Sequence, residues 1–110
     1  MTTNIFDKMA RQGDVLVRRV HAMPQSVKKV DWQKERRVIL AYGEVTGHAH
    51  ALDLSFATMF QTDEGKRFIE VVEGAALSHE EHATVTPEPG IYEVIQQREY
   101  TPEAIRNVQD

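Results

Sequence analysis

At 110 residues, 41% hydrophobic and 27% charged, the chain is long enough for one domain with a single core and too short for two, and its composition is neither that of a disordered chain nor that of a membrane protein. A formal net charge of −4 argues against a general nucleic-acid binder, whose affinity comes largely from neutralising phosphates, and the lack of cysteine excludes a disulfide framework and a thiolate metal site. Apolar runs such as Val38–Tyr42 fall far short of a membrane span, and Met1–Lys8 lacks the basic-then-apolar layout of a signal peptide, so a cytoplasmic protein with no membrane partner is expected.

In chain order, residues 1–12 show a weak helical spacing at Ile5, Phe6, Met9 and Ala10, which predicts a short helix or an arm lying on a neighbouring subunit. Gly13-Asp14 breaks that pattern. Asp14–Val20 then alternates with period two, as a half-buried strand does. Pro24, Gln25 and Ser26 read as a loop. The basic residues Lys28, Lys29, Lys34, Arg36 and Arg37 are interrupted by Asp31 and Glu35 and read as a solvated loop surface. Arg37–Tyr42 is a β-branched and aliphatic run, expected as a strand covered on both faces. Gly43 and Gly47 bracket a turn or bulge. His48–Leu54 alternates again, with His48, His50 and Leu52 on one face. Phe56–Phe60 and Arg67–Val72 flank Thr62–Lys66, a polar cluster with glycine that predicts a hairpin. Ala83–Thr86 and Ile91–Tyr100 are further strand candidates, separated by the tight Pro87–Gly90 loop. Thr101-Pro102 is a helix start, so 102–109 is expected to form a short C-terminal helix.

About seven short strands at spacings of about ten residues predict a mainly β chain: one antiparallel β-sandwich, roll or small barrel with a short C-terminal helix. The expected organisation is an N-terminal arm or helix over 1–12 and a single β-rich domain over 13–110.

Four of the five histidines fall in two tight pairs, His48/His50 and His79/His82. On a strand, residues i and i+2 share a face, so His48 and His50 project together from backbone positions about 6–7 Å apart. The spacing of His79 and His82 suits a turn or a single helical turn. If the chain brings the pairs together, His48, His50, His79 and His82 supply three or four nitrogen ligands for zinc or another divalent transition metal. Asp53, Glu80 and Glu81 offer carboxylates to ligate or to orient an imidazole. The competing interpretation makes His48 and His50 hydrogen-bonded structural residues and His79 and His82 exposed loop residues. His79-Glu80-Glu81-His82 is one residue short of the His-Glu-x-x-His metalloprotease helix, and Gly43-x-x-x-Gly47 lacks the Lys-Ser/Thr of a phosphate loop.

Gly13-Asp14-Val15-Leu16, Gly43-Glu44-Val45-Thr46-Gly47-His48-Ala49-His50, His79-Glu80-Glu81-His82, Pro89-Gly90-Ile91-Tyr92 and Gln97-Arg98-Glu99-Tyr100 resemble a family of small uncharacterised proteins in bacterial and phage genomes. The resemblance spans most of 13–109. It implies no reaction or substrate, and it marks the histidine blocks as a shared feature. His48-x-His50 near a glycine is also similar to the first cupin motif, with Asp53 where a glutamate is expected; the second cupin motif has no counterpart, which limits the likeness to a fold analogy. Two functions of different class follow. One is a metal-binding protein with an unassigned activity. The other is a non-enzymatic, phage-related assembly protein that forms a homo-oligomer through sheet edges and its N-terminal arm. A regulatory or inhibitor module binding another protein is a third possibility.

Overall fold

The computed structural model describes residues 4–43 and 47–96, and among these every helix-or-strand element is a strand. The strands are β1 (Asn4–Phe6), β2 (Met9–Gln12), β3 (Val15–Val20), β4 (Val27–Lys29), β5 (Arg37–Tyr42), β6 (Ala49–Asp53), β7 (Ala57–Thr62), β8 (Arg67–Val71), β9 (Leu77–His79), β10 (His82–Pro87) and β11 (Gly90–Gln96). They make two sheets, ordered β1-β10-β9-β6-β5 and β2-β3-β11-β8-β7-β4. All pairings are antiparallel except that of β1 with β10, which is parallel. Among the described residues no strand of one sheet pairs with a strand of the other, so the sheets do not close into a barrel.

Strict alternation builds the core. Val15 and Val17, Ala57 and Met59, Ile69 and Val71, and Tyr92 and Val94 turn one face of the six-stranded sheet inward. Val38, Leu40, Leu52, Leu77 and Val85 meet them from the five-stranded sheet. Each fully buried aliphatic side chain contributes about 1.5–3 kcal/mol. Strands β5 and β6 are buried on both faces, as the continuous apolar run of β5 predicts: Ile39, Ala49 and Ala51 form a second, smaller cluster beneath Trp32.

Two register shifts, one in each of β5 and β10, are matched by side chains that reach a nearby carbonyl. Where β5 shifts between Ile39 and Ala41, the Arg67 guanidinium donates to the Leu40 carbonyl at 2.5 Å. Where β10 shifts between His82 and Val85, the Gln12 amide donates to the Ala83 carbonyl at 2.9 Å. The predicted hairpin is present between β7 and β8: Gly65 takes φ +93° and its amide donates to the Thr62 carbonyl at 3.0 Å.

The N-terminal segment departs from the sequence reading. Its helical spacing is not used, for Ile5 and Met9 stay 60% and 54% exposed. Residues 4–6 pair with β10 and residues 9–12 with β3, so the segment gives one strand to each sheet and spends its backbone hydrogen bonds there. Phe6 anchors it, packed edge-on against Tyr92 at 5.5 Å. Strand β4 lies in the stretch read as loop and basic surface. The predicted helix over 102–109 lies outside the described residues.

Leu52 is 1% exposed and sits two residues from His50 on the same strand face. Leu52→Ala is expected to cost about 2–5 kcal/mol, read from the urea midpoint at unchanged slope.

Candidate metal centre

Strand pairing brings the two histidine pairs together. His79 and His82 are partners across the β9–β10 hairpin, whose turn is Glu80-Glu81, so they stand side by side on one face. Strand β6 joins β9 with Ala51 opposite Ser78, and one step along this antiparallel ladder His50 faces His79. The result is a cross-strand row of three imidazoles on β6, β9 and β10. Ring centroids are 4.3 Å apart for His50 and His79, 4.6 Å for His79 and His82, and 5.7 Å for His50 and His82. One ring nitrogen from each falls within 4.8 Å of the other two, close enough to hold a metal ion. Leu52 and Leu77, each two residues along its strand from the row, are in the core, so the row continues the inner face of the sheet toward one end of the sandwich.

His48 is placed differently. Its Nδ1 meets a Glu81 carboxylate oxygen at 2.8 Å, and its ring is 5.9 Å from that of His79. The tip of the β9–β10 hairpin thus grips the start of β6 twice, because Glu80 also accepts the Ala49 amide hydrogen at 3.0 Å. That hydrogen bond, with one from its own amide, holds the Glu80 carboxyl below the usual carboxylate range. Asp53 serves a local turn, accepting the Ser55 amide at 2.8 Å.

The β2–β3 turn covers the row from the other sheet, and the sequence reading treats this turn only as a break. Gln12 is 3% exposed. Its amide nitrogen donates to the carbonyls of Leu77 at 3.0 Å and Ala83 at 2.9 Å. That fixes which end of the side chain is oxygen, and Oε1 meets His50 Nδ1 at 2.9 Å. Nδ1 therefore carries hydrogen, and a neutral His50 presents a lone pair at Nε2. Gly13 follows with φ +59°; a Cβ there would sit 2.8 Å from His82 Nε2 and 3.1 Å from His50 Cε1. On the opposite side a Cβ at Gly43 would lie 3.0 Å from His79 Nε2. Both glycines leave the space that the rings occupy. Asp14 completes the turn with Oδ1 at 3.4 Å from His50 Nε2.

His79 accepts the Glu81 amide hydrogen at Nδ1, at 3.0 Å. A neutral ring so bonded holds its proton on Nε2, and ligation requires it to turn about χ2 or to release the amide. Giving up one such bond costs about 1 kcal/mol, small beside the ~10–16 kcal/mol of a structural zinc site.

Away from the row, a cavity of about 420 Å³ is lined by Lys29, Val30, Trp32, Val38, Leu54 and Met59 among others, and none of the four paired histidines borders it. Trp32 Nε1 is buried without a hydrogen-bond partner among the described residues.

Burial, and then the neighbouring His79, hold the His50 pKa below its ordinary value of 6.5, against the opposing pull of Asp14. The unfolded chain therefore binds the proton more readily. The stabilisation due to a neutral His50 is complete above pH 6.5 and is lost as pH falls from there through the lowered folded value. The urea midpoint of metal-free protein is expected to drop over that window, and His50→Gln to flatten the drop. Gln12→Met strands two carbonyls and the His50 N–H; a loss of about 2–4 kcal/mol in urea unfolding is expected.

A family model described as Domain of unknown function (DUF8820) matches residues 11–97. No curated protein and no solved structure matches the chain. The matched stretch takes in the Gln12–Asp14 turn and both histidine pairs, consistent with the expected membership of an uncharacterised family. With most of its length matched, the chain belongs to the family of the Domain of unknown function (DUF8820).

Proposed function

We propose that this protein binds a divalent transition metal, zinc before others, through His50, His79 and His82. The observation that carries this reading is the convergence of three imidazoles from three neighbouring strands within 4.8 Å. Among the described residues no hydrogen bond joins one of these rings to another. Polar rings packed together without mutual hydrogen bonds are what a shared cation would organise. Imidazole nitrogen is a ligand zinc accepts at about 2.0–2.1 Å, which sets ligand atoms about 3.3 Å apart in a tetrahedron, so the row contracts modestly on binding. Gln12 behind His50 supplies the orienting contact to the non-ligating nitrogen that metal-bound histidines commonly have. His48, paired with Glu81, stands outside the set. Three imidazoles leave a fourth position, and what fills it decides between a structural and a catalytic ion.

Metal analysis of protein purified without a polyhistidine tag, together with melting in the presence and absence of chelator, tests this. Near-stoichiometric metal and a lower melting temperature in chelator are expected. His50→Ala and His82→Ala should each abolish tight binding, and His48→Ala should retain it. Less than about 0.2 equivalents of metal with no chelator effect would sink the reading, since a site of this kind couples binding to folding.

A second reading, a homo-oligomeric assembly protein, is carried by a different observation. Ile5 and Met9 are 60% and 54% exposed on the short N-terminal strands, and Tyr42 is 63% exposed on β5, an end strand of its sheet. Apolar side chains along open edges favour pairing with a second copy. Light scattering over a range of concentrations should then give a dimer or larger species, and a strict monomer throughout would contradict it.

A further inference from the structure

We propose that Asp14 is the fourth ligand of this site, so that the ion is a closed, structural staple joining the two sheets. This rests on the metal reading above and deepens it. The three histidines all belong to the five-stranded sheet, whereas Asp14 lies in the β2–β3 turn of the six-stranded one.

The geometry at His50 is what points to Asp14. Gln12 is oriented by two carbonyls and takes the Nδ1 hydrogen of His50, which leaves a lone pair on Nε2. That lone pair faces a carboxylate oxygen of Asp14 at 3.4 Å. With His50 neutral, a nitrogen lone pair and a carboxylate oxygen face one another, and a cation between them would be bonded by both. A metal ion satisfies both atoms. The separation itself fits: zinc bonds of about 2.0–2.2 Å to nitrogen and oxygen at the tetrahedral angle give a ligand-to-ligand edge of about 3.3–3.5 Å.

Asp14 is also held as ligating carboxylates are. Its second oxygen accepts the Gln96 amide at 3.1 Å, which leaves Oδ1 turned toward His50. It stands outside the tight group of three imidazoles, and its side chain is 43% exposed, so it has room to rotate inward as the row contracts. The three residues of the turn then divide the work. Gln12 fixes the back of His50, Gly13 clears the space beside His82, and Asp14 closes the coordination. With four protein ligands, no position remains for water or substrate.

Cobalt(II) replacing zinc in wild type and Asp14→Asn tests this, read by visible absorption, dissociation constant and melting temperature. Wild type is expected to show the intense bands of tetrahedral cobalt, unmoved by added azide. Asp14→Asn should bind at least about tenfold more weakly, respond to azide at its opened position, and lose most of the metal-induced rise in melting temperature. Equal affinity and an unchanged spectrum in Asp14→Asn, or an azide-sensitive wild-type spectrum, would overturn the staple and leave the three-histidine site standing. No cobalt bound by wild type would overturn both. Gln96→Ala, which removes only the support of Asp14, should weaken binding less than Asp14→Asn does; the reverse order would contradict direct ligation.

Discussion

The side-chain amide of Gln12 is the contact on which the rest of the site depends. It is a buried polar group with three partners, and each does something different. The Leu77 and Ala83 carbonyls belong to β9 and β10, so the amide holds the hairpin that carries His79 and His82. The carbonyl end meets His50 and sets its tautomer. One residue from the six-stranded sheet thereby bonds all three strands that carry the rings, β6 through the ring of His50 itself. A buried amide of this kind is costly when half satisfied and rigid when fully satisfied. Here it is satisfied at both ends, which is why the shift in β10 register can sit beside the imidazole row without leaving the Ala83 carbonyl orphaned.

The end of the sandwich where this happens is built unlike its middle. Around Tyr92, Ile69 and Leu40 the two sheets meet mainly through aliphatic and aromatic packing, with the Arg67–Leu40 hydrogen bond crossing between them. Toward the β2–β3 turn that packing gives way to imidazoles, an amide and a carboxylate. Apolar contact is non-directional and tolerates small shifts between sheets; hydrogen bonds and metal–ligand bonds do not. A polar cluster there fixes how the sheets sit relative to one another. The chain also passes from one sheet to the other between β1 and β2, but beside Arg19 and Tyr92, away from the row.

Much of the fold is legible in the sequence where alternation is clean. Val15–Val20, Arg37–Tyr42, Arg67–Val71 and the Thr62–Lys66 turn read directly, because period-two burial and turn chemistry are local properties. The N-terminal segment misleads because its few apolar residues fit a helical spacing while its backbone completes the edges of two sheets, a tertiary demand with no local signature. The histidine pairs are legible as a meeting of two blocks, and the structure brings His50, His79 and His82 together as that predicts. The ring of His48, on the same face as His50 by simple alternation, lies 5.9 Å from that of His79, with its Nδ1 on Glu81 and not in the group of three. The hairpin tip supplies the Glu81 carboxylate that His48 meets at 2.8 Å, a contact no spacing in the sequence announces. Gln12 carries no motif, Gly13 and Asp14 enter only the Gly13–Leu16 block of the resemblance with no role attached, and only the topology reveals that all three lie over the row.

In the metal site proposed above, the imidazoles of His50, His79 and His82, and not that of His48, act as one binding unit. Long-range proton–nitrogen NMR of the histidine rings during a zinc titration tests it most directly. The ring nitrogens of His50, His79 and His82 are expected to shift together and saturate at about one equivalent, with those of His48 and of the fifth histidine, His21, unmoved. Rings that do not respond to zinc, or a His48 that moves in step with the other three, would contradict it.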